Sequence, residues 1–161
     1  MSQSAATTHP GVAIRRATAR EHAAIGELCV AAYAGMSAPD QAGYAAHLRN
    51  AAARDLEAEL WVAVTADEAH SEDLLGTVTV CPDGSPWREI ARGDEYEFRM
   101  LAVAPTAQGR GVGEALVRHV LDRAREAGSS RVVLSTLAEM SAAHRLYERL
   151  GFRRAPERDW S

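Results

Sequence analysis

The chain is poor in cysteine, has no long apolar run and carries no excess of positive charge. Cys29 and Cys81 are its only cysteines, each in or beside an apolar stretch, and neither has a Cys or His neighbour at metal-ligand spacing. A disulfide scaffold and a zinc or CxxC redox motif are excluded, and two buried thiols with no metal are expected. No apolar stretch reaches the ~18 residues of a membrane span. The opening residues, MSQSAATTHPG, lack the basic cluster and apolar core of a secretory signal. A cytoplasmic protein without a membrane role is expected. The formal net charge of −4 argues against nucleic-acid binding and is compatible with a cationic substrate. There is no internal repeat, and the only biased segment is the Ala-rich one over residues 40–57.

What is present suits one globular domain. The 161 residues, 47% of them hydrophobic, can bury a core without disulfides or metals. Residues 1–11 are small and polar, end in Pro-Gly, and read as a disordered tail before a domain spanning 12–161. Val12–Ala17 suits a short strand. Thr18 and Glu21 form a capping-box pair ahead of a helix that presents Ile25, Leu28, Cys29 and Ala32 on one face. Residues 40–57 suggest a second helix. Strands are expected at Leu60–Val64, Leu74–Val80 and Tyr96–Val103, with a Pro- and Gly-bearing loop at Cys81–Asp94. A helix follows, with Val112, Leu116, Val117, Val120, Leu121 and Ala124 facing inward and Gly128 near its end. Val132–Leu137 reads as a strand, Glu139–Leu150 as a helix closed by Gly151, and Phe152 as the start of a last short strand. Two helices, a meander, then alternating strands and helices imply an α/β (α+β) fold with one mixed sheet flanked by helices.

The most informative stretch is LAVAPTAQGRGVGEALVRHVL, from Leu101 to Leu121. Gly109, Gly111 and Gly113 stand where a helix begins. A helix N-terminus leaves backbone N–H groups unpaired and carries a partial positive charge. Glycines let a phosphate approach those groups without meeting a Cβ. A tight turn that needs backbone freedom alone would be served by one glycine. A Walker A loop would follow its last glycine with Lys and Ser or Thr, but Glu114 and Ala115 follow here. A dinucleotide fingerprint would place a third glycine where Leu116 stands.

Gln108-x-x-Gly111-x-Gly113 on a strand–turn–helix resembles the (Q/R)-x-x-G-x-(G/A) signature of the GNAT superfamily, the acyl-CoA-dependent N-acetyltransferases. The strand before it, Glu97–Val103, resembles the fourth strand of that family. Ala143-x-x-x-Tyr147-x-x-x-Gly151-Phe152 resembles its second motif. The order of elements agrees from Val12 to Phe152.

The resemblance implies acetyl-CoA as co-substrate and an amine as acceptor. The fourth and fifth strands of the family splay apart and admit the pantetheine arm. By position, the main chain of Leu101, Ala102 and Val103 would line it, with the Leu101 N–H near the thioester oxygen. The N–H groups of Gly109, Arg110, Gly111, Val112 and Gly113 would hold the pyrophosphate, with the Gln108 and Arg110 side chains at the rim. Glu97, eleven residues before Gln108, matches the general base of some members. Glu95 or a water is the rival, and a solvated outward carboxylate the simpler alternative. Tyr147 matches the tyrosine that protonates the departing thiolate; packing in the core is its alternative. His144, one turn earlier, reads as a surface residue.

Two departures stand out. Met140 occupies the place, seven residues before the tyrosine, where many members carry a CoA-contacting Asn. The hairpin and final strand that usually close the family's sheet are expected to be missing after Trp160, which leaves the acceptor pocket open; Tyr33, Met36, Tyr44 and Trp87 are candidates to line it. A non-catalytic acyl-CoA-binding module and a plain nucleotide-binding domain are the other classes in view. A homodimer is left open.

Overall fold

The computed structural model describes residues 7–9, 11–33, 46, 49–66, 74–134 and 141–153. Strands β1 (Thr7–His9) and β2 (Val12–Arg16) form a hairpin with His9 opposite Val12. Its two-residue loop ends in Gly11 at φ +77°, the left-handed conformation that tight hairpins require. The tail expected over residues 1–11 holds a strand at Thr7–His9, and its other residues up to Pro10 lie outside the described set.

A short 3-10 turn (Ala19–Glu21) leads into α1 (His22–Tyr33). Glu21 accepts from the Thr18 N–H at 2.9 Å, the reach-back contact of the capping pattern. Arg15 grips the same carboxylate at 2.7 and 3.0 Å, and this pairing holds Glu21 below the usual carboxylate range. Helix α2 (Ala51–Glu57) starts at Asn50, whose side chain accepts from the Ala53 N–H at 3.4 Å. It is the C-terminal part of the helix expected over 40–57. Of the rest of that span, only Ala46 and Arg49 are described as helical.

Strands β3 (Glu59–Thr65), β4 (Leu74–Cys81) and β5 (Tyr96–Val103) continue the sheet as an antiparallel meander. After β5 comes α3 (Val112–Glu126), then β6 (Val132–Val133), which pairs parallel to β5 with Tyr96 opposite Val132. Helix α4 (Ser141–Arg149) follows. The strand order is β1-β2-β3-β4-β5-β6. The sheet is mixed as expected, and β5–β6 is its one parallel pair among the described residues. The strand expected over 132–137 is described only at Val132–Val133. Phe152 opens no strand; it folds back onto α4.

The sheet carries a core on each face. On one, Trp61, Val78, Val80 and Phe98 pack against Val112, Leu116 and Val120 of α3 and Tyr147 of α4. On the other, Leu60, Val62, Met100 and Ala102 pack with Ile25 and Cys29 of α1 and with Trp87. Fully burying one such aliphatic side chain is worth about 1.5–3 kcal/mol. Both α3 and α4 end in a glycine at positive φ, Gly128 and Gly151. In α3, Ser129 N–H bonds to Ala124 O and Gly128 N–H to Arg125 O, a paired closure that satisfies the last carbonyls.

Candidate active site

The site begins with an irregularity in β5. Thr79 of β4 faces Arg99 and Thr77 faces Ala102, so Met100 and Leu101 together oppose Val78. Met100 absorbs the extra residue at φ +57°, the one positive φ at a non-glycine among the described residues. Such a bulge bends its strand and reverses the alternation of side chains. Tyr96 and Phe98 belong to the α3/α4 core, whereas Met100 and Ala102 belong to the α1/α2 core. Leu101 and Val103 therefore pack on the α3/α4 side, and Glu97 and Arg99 face the α1/α2 side. The Ala104 N–H donates to Leu75 O across to β4 at 2.8 Å. By alternation, the Val103 and Leu101 N–H groups point away from β4. On that side the pairing with β6 is recorded at Tyr96–Val132 and Glu97–Val133, before the bulge.

Strand β5 runs through a 3-10 turn (Pro105–Ala107) into the glycine stretch. Gln108 is extended, Gly109 lies at φ +81° and Gly111, the N-cap of α3, at φ +78°. A Cβ on Gly109 or Gly111 would meet nothing within 4 Å among the described residues. The backbone conformation demands glycine at both, and the space beside them is open. Gly113 differs: a Cβ there would come within 3.3 Å of Leu146 and 3.6 Å of Val103, so it lets α3 pack closely on α4 and β5. The first bond to an α3 carbonyl runs from the Ala115 N–H to Gly111 O, 3.0 Å. The N–H groups of Val112, Gly113 and Glu114 precede that ladder and lie at the positive end of the helix. Gln108 and Arg110 are exposed at the rim, while the Val112 side chain is buried. An open cradle of glycine backbone at a helix start suits a pyrophosphate. Glu114 would oppose an anion there, but Arg118 (2.9 Å) and Arg149 (3.1 Å) pair with it and hold its carboxyl below the usual range.

The Tyr-x-x-x-Gly-Phe spacing has a plain mechanical meaning in α4. Gly151 sits at φ +95°, its N–H bonds to Glu148 O, and the Phe152 N–H bonds back to Tyr147 O at 2.9 Å. This closure brings Phe152 onto Tyr147, ring centroids 5.6 Å apart, with Phe98 of β5 6.0 Å from Tyr147. Tyr147 is 7% exposed, and burial pushes its phenol well above the ordinary range, so it stays protonated. No described residue makes a hydrogen bond to its hydroxyl. His144 is partly buried rather than a surface residue, and its Nε2 has no hydrogen-bond partner among the described residues.

Glu97 is wholly buried, opposite Cys81 of β4 and beside Val133 of β6. The solvated outward reading is therefore wrong. Its Oε1 accepts from the N–H groups of Glu89, Ile90 and Ala91 at 2.9, 3.0 and 3.0 Å. Its Oε2 has no hydrogen-bond partner among the described residues. The β4–β5 loop that closes on this carboxylate is tied down throughout. Arg88 bonds to Asp83, Gly93 O and Glu95 O. Arg99 reaches Trp87 O at 3.1 Å and Glu89 at 3.6 Å. Trp87 donates to Glu57 at 2.9 Å beneath the guanidinium of Arg54, which is fully buried and lies 3.7 Å from Cys29 Sγ. Glu95 is partly exposed and accepts from the Arg92 N–H. Both cysteines are buried and unpaired as expected; burial pushes Cys29 up to about 11 and, with Glu97 nearby, Cys81 up to about 12.

A sequence profile of the acetyltransferase (GNAT) family matches residues 31–152, which is most of the chain. The chain belongs to the GNAT acetyltransferase family. N-acetylaspartate synthetase of Danio rerio is 46% identical over 61 residues, covering 38% of this chain and 22% of that one. Streptothricin acetyltransferase of Streptomyces lavendulae is 34% identical over 98 residues, 61% of this chain and 46% of that one. The chain thus spans less than half the length of these curated relatives. A GNAT acetyltransferase of Brucella melitensis solved in complex with acetyl-CoA is 26% identical, with a TM-score of 0.58 over 91% of this chain and 85% of that one.

The GNAT fold of this chain brings the predicted residues to the two sides of one strand. The glycine turn and Tyr147 flank β5 on the α3/α4 side, and Glu97 lies behind it on the α1/α2 side. Sequence reasoning missed the Met100 bulge, the burial of Arg54, and the use of Glu97 Oε1 by the loop. A Phe-Arg-Met-Leu run announces no bulge, and an Arg in an Ala-rich helix reads as surface. No cluster of three His, Cys, Asp or Glu that could hold a metal occurs among the described residues. No described helix is long and apolar enough to cross a membrane.

Proposed function

We propose that this chain is an N-acetyltransferase that moves the acetyl group of acetyl-CoA to a primary amine by direct attack. The observation that carries this reading is the bulged strand running into a helix start whose glycines, at φ +81° and +78°, leave the first N–H groups beside open space. The N–H groups from Gly109 to Gly113 would hold the pyrophosphate, with Gln108 and Arg110 at its edge. The main chain of Leu101, Ala102 and Val103 would run beside the pantetheine. Acetyl-CoA supplies an activated acetyl thioester.

The chain's own groups then do three things. The Leu101 N–H, pointing away from β4, donates to the carbonyl oxygen as negative charge builds there. Glu97, through the oxygen that the loop does not use, takes one proton from the substrate ammonium and frees its lone pair. The nitrogen–carbon bond forms, the carbon–sulfur bond breaks, and Tyr147 gives its phenolic proton to the sulfur. A phenolate is costly where Tyr147 sits, so the second proton of the amine nitrogen replaces the one that leaves. The products are the amide and the free thiol, with one proton on Glu97 to return to solvent.

One observation favours a second reading, a non-catalytic acyl-CoA-binding module: Glu97 Oε1 is committed to three loop N–H groups. Thiol release from acetyl-CoA against spermidine, an aminoglycoside, a lysine peptide and free amino acids separates the two. Amine-dependent thiol release supports transfer; tight acetyl-CoA binding with no release for any acceptor supports the module. The chain contains no lysine, so acetyl-lysine on a protein or peptide acceptor cannot come from the enzyme itself.

A further inference from the structure

We propose that Thr79, on the strand next to Glu97, is a positioning residue for proton removal, its hydroxyl and Glu97 Oε2 together fixing one water that relays the proton. The inference rests on Glu97 as the base. Thr79 is 1% exposed and Glu97 is fully buried, yet neither Thr79 Oγ1 nor Glu97 Oε2 has a hydrogen-bond partner among the described residues. The neighbouring threonine on the same face is different: Thr77 Oγ1 donates to Trp61 O at 2.8 Å. Buried polar atoms are nearly always satisfied by protein or by ordered water, so two orphans on one face call for a common partner.

The register puts them within reach of one. Thr79 faces Arg99 and Cys81 faces Glu97 across β4 and β5, which makes Thr79 and Glu97 diagonal neighbours on the α1/α2 side. Diagonal Cα atoms in an antiparallel pair are roughly 7–8 Å apart, a gap that a glutamate, a threonine and one water fill. The ionisable groups around this patch come from every element packed there: Cys81 on β4, Arg99 on β5, Glu89 on the loop, Arg54 on α2 and Cys29 on α1. Arg99 is engaged by Trp87 O and Glu89, and Glu97 Oε1 by the loop. The bonding capacities also match. The hydroxyl donates to the water, the water donates to Oε2, and the water's second acceptor position faces the substrate ammonium. In the transfer, an ammonium proton passes to the water oxygen as a water proton passes to Oε2. The water is regenerated, the amine is neutral and Glu97 is a neutral acid.

The test uses the full chain and the fastest acceptor of the panel named above. Thr79→Val keeps shape and removes the hydroxyl; Thr79→Ser restores it. Thr79→Val is expected to lower kcat at least tenfold, leave acetyl-CoA affinity within twofold, and displace the acidic limb of the kcat/KM profile for the amine. Thr79→Ser is expected to recover most of the rate, and Thr79→Val is expected to add less than twofold in a Glu97→Gln background. If Thr79→Val loses its fold by circular dichroism, Thr79→Ala takes its place in each comparison. Wild-type kcat and pH profile in Thr79→Val, beside a slow Glu97→Gln, overturn the role of Thr79 and leave Glu97 as base. A multiplicative loss in the double variant overturns it as well. Wild-type turnover of Glu97→Gln at every pH, or no turnover of any acceptor, overturns the underlying reading and this inference with it.

Discussion

The two faces of the sheet are made of different material. Against α3 and α4, the interior is aliphatic and aromatic apart from His119, and the groups proposed to meet acetyl-CoA are mostly main chain: a bulged strand, a glycine turn, a helix start. Against α1 and α2, the interior holds charge and hydroxyl: Arg54, Glu97 and Thr77 are fully buried, and Thr79 nearly so. A pyrophosphate can be gripped by backbone N–H groups, which every residue but proline owns, so glycines suffice. An amine must be deprotonated, which takes an ionisable side chain held in a dry place. The cost of drying Glu97 is offset by three N–H donors from one loop, and that ties the chemistry of this face to the folding of residues 89–91.

The sharpest break of this contrast is at Glu97. Glu97→Gln keeps an acceptor oxygen for the loop but removes the charge, and turnover is expected to fall about 10²–10⁴-fold. Glu97→Ala also strips the loop of its acceptor, and urea unfolding is expected to show a further loss of about 3 kcal/mol. Wild-type turnover by Glu97→Gln at all pH values would make the carboxylate a loop anchor alone.

The second comparison is one of acid stability. His119 of α3 is buried edge-on to Trp61, centroids 4.2 Å apart, and burial pushes it down to about 4 from 6.5. The folded state therefore excludes a proton that the unfolded chain binds between those values. Its contribution is complete above pH 6.5 and is lost as pH falls toward 4, roughly 3 kcal/mol in all. Urea midpoints from pH 7 to 4.5 measure this, and His119→Leu is expected to flatten the slope over that window. A slope unchanged by the substitution would move the acid sensitivity to the charged α1/α2 face.

Tyr147→Phe removes one oxygen and keeps the ring between Phe98 and Phe152. An expected fall of about 10²-fold in kcat, with acetyl-CoA affinity and the thermal midpoint unchanged, marks proton donation. An affinity loss with kcat intact would make the hydroxyl a holding group. The smallest effect belongs to the turn. Gly111→Val places its Cβ in open space but forces a β-branched residue to φ +78°. Acetyl-CoA affinity by calorimetry is expected to fall at least tenfold, about 1.4 kcal/mol, with the fold retained. Unchanged affinity in the folded variant would remove the pyrophosphate from this turn.

What the sequence determined by itself is local. Positive-φ glycines at 109, 111, 128 and 151 mark the turn and the helix stops because an L side chain disfavours that conformation wherever it occurs. Tyr147, Gly151 and Phe152 lie within one helix closure, so their contact was legible in their spacing. Strands β3, β4 and β5 announced themselves by their apolar runs, whereas β1, in a short polar stretch, did not. The tertiary structure alone decided the rest. The bulge at Met100 is a register between β4 and β5, which nothing in the Phe-Arg-Met-Leu run announces. Strand alternation could not say which face Glu97 takes, because Tyr96, Glu97 and Phe98 are all buried. Its orientation followed from the cores on either side, and its anchoring from a loop that closes only when β4 and β5 pair. Arg54 is interior because α2, Trp87 and Cys29 converge on it from separate parts of the chain. Local preference is written in a few consecutive residues; burial of charge depends on what distant residues bring to it.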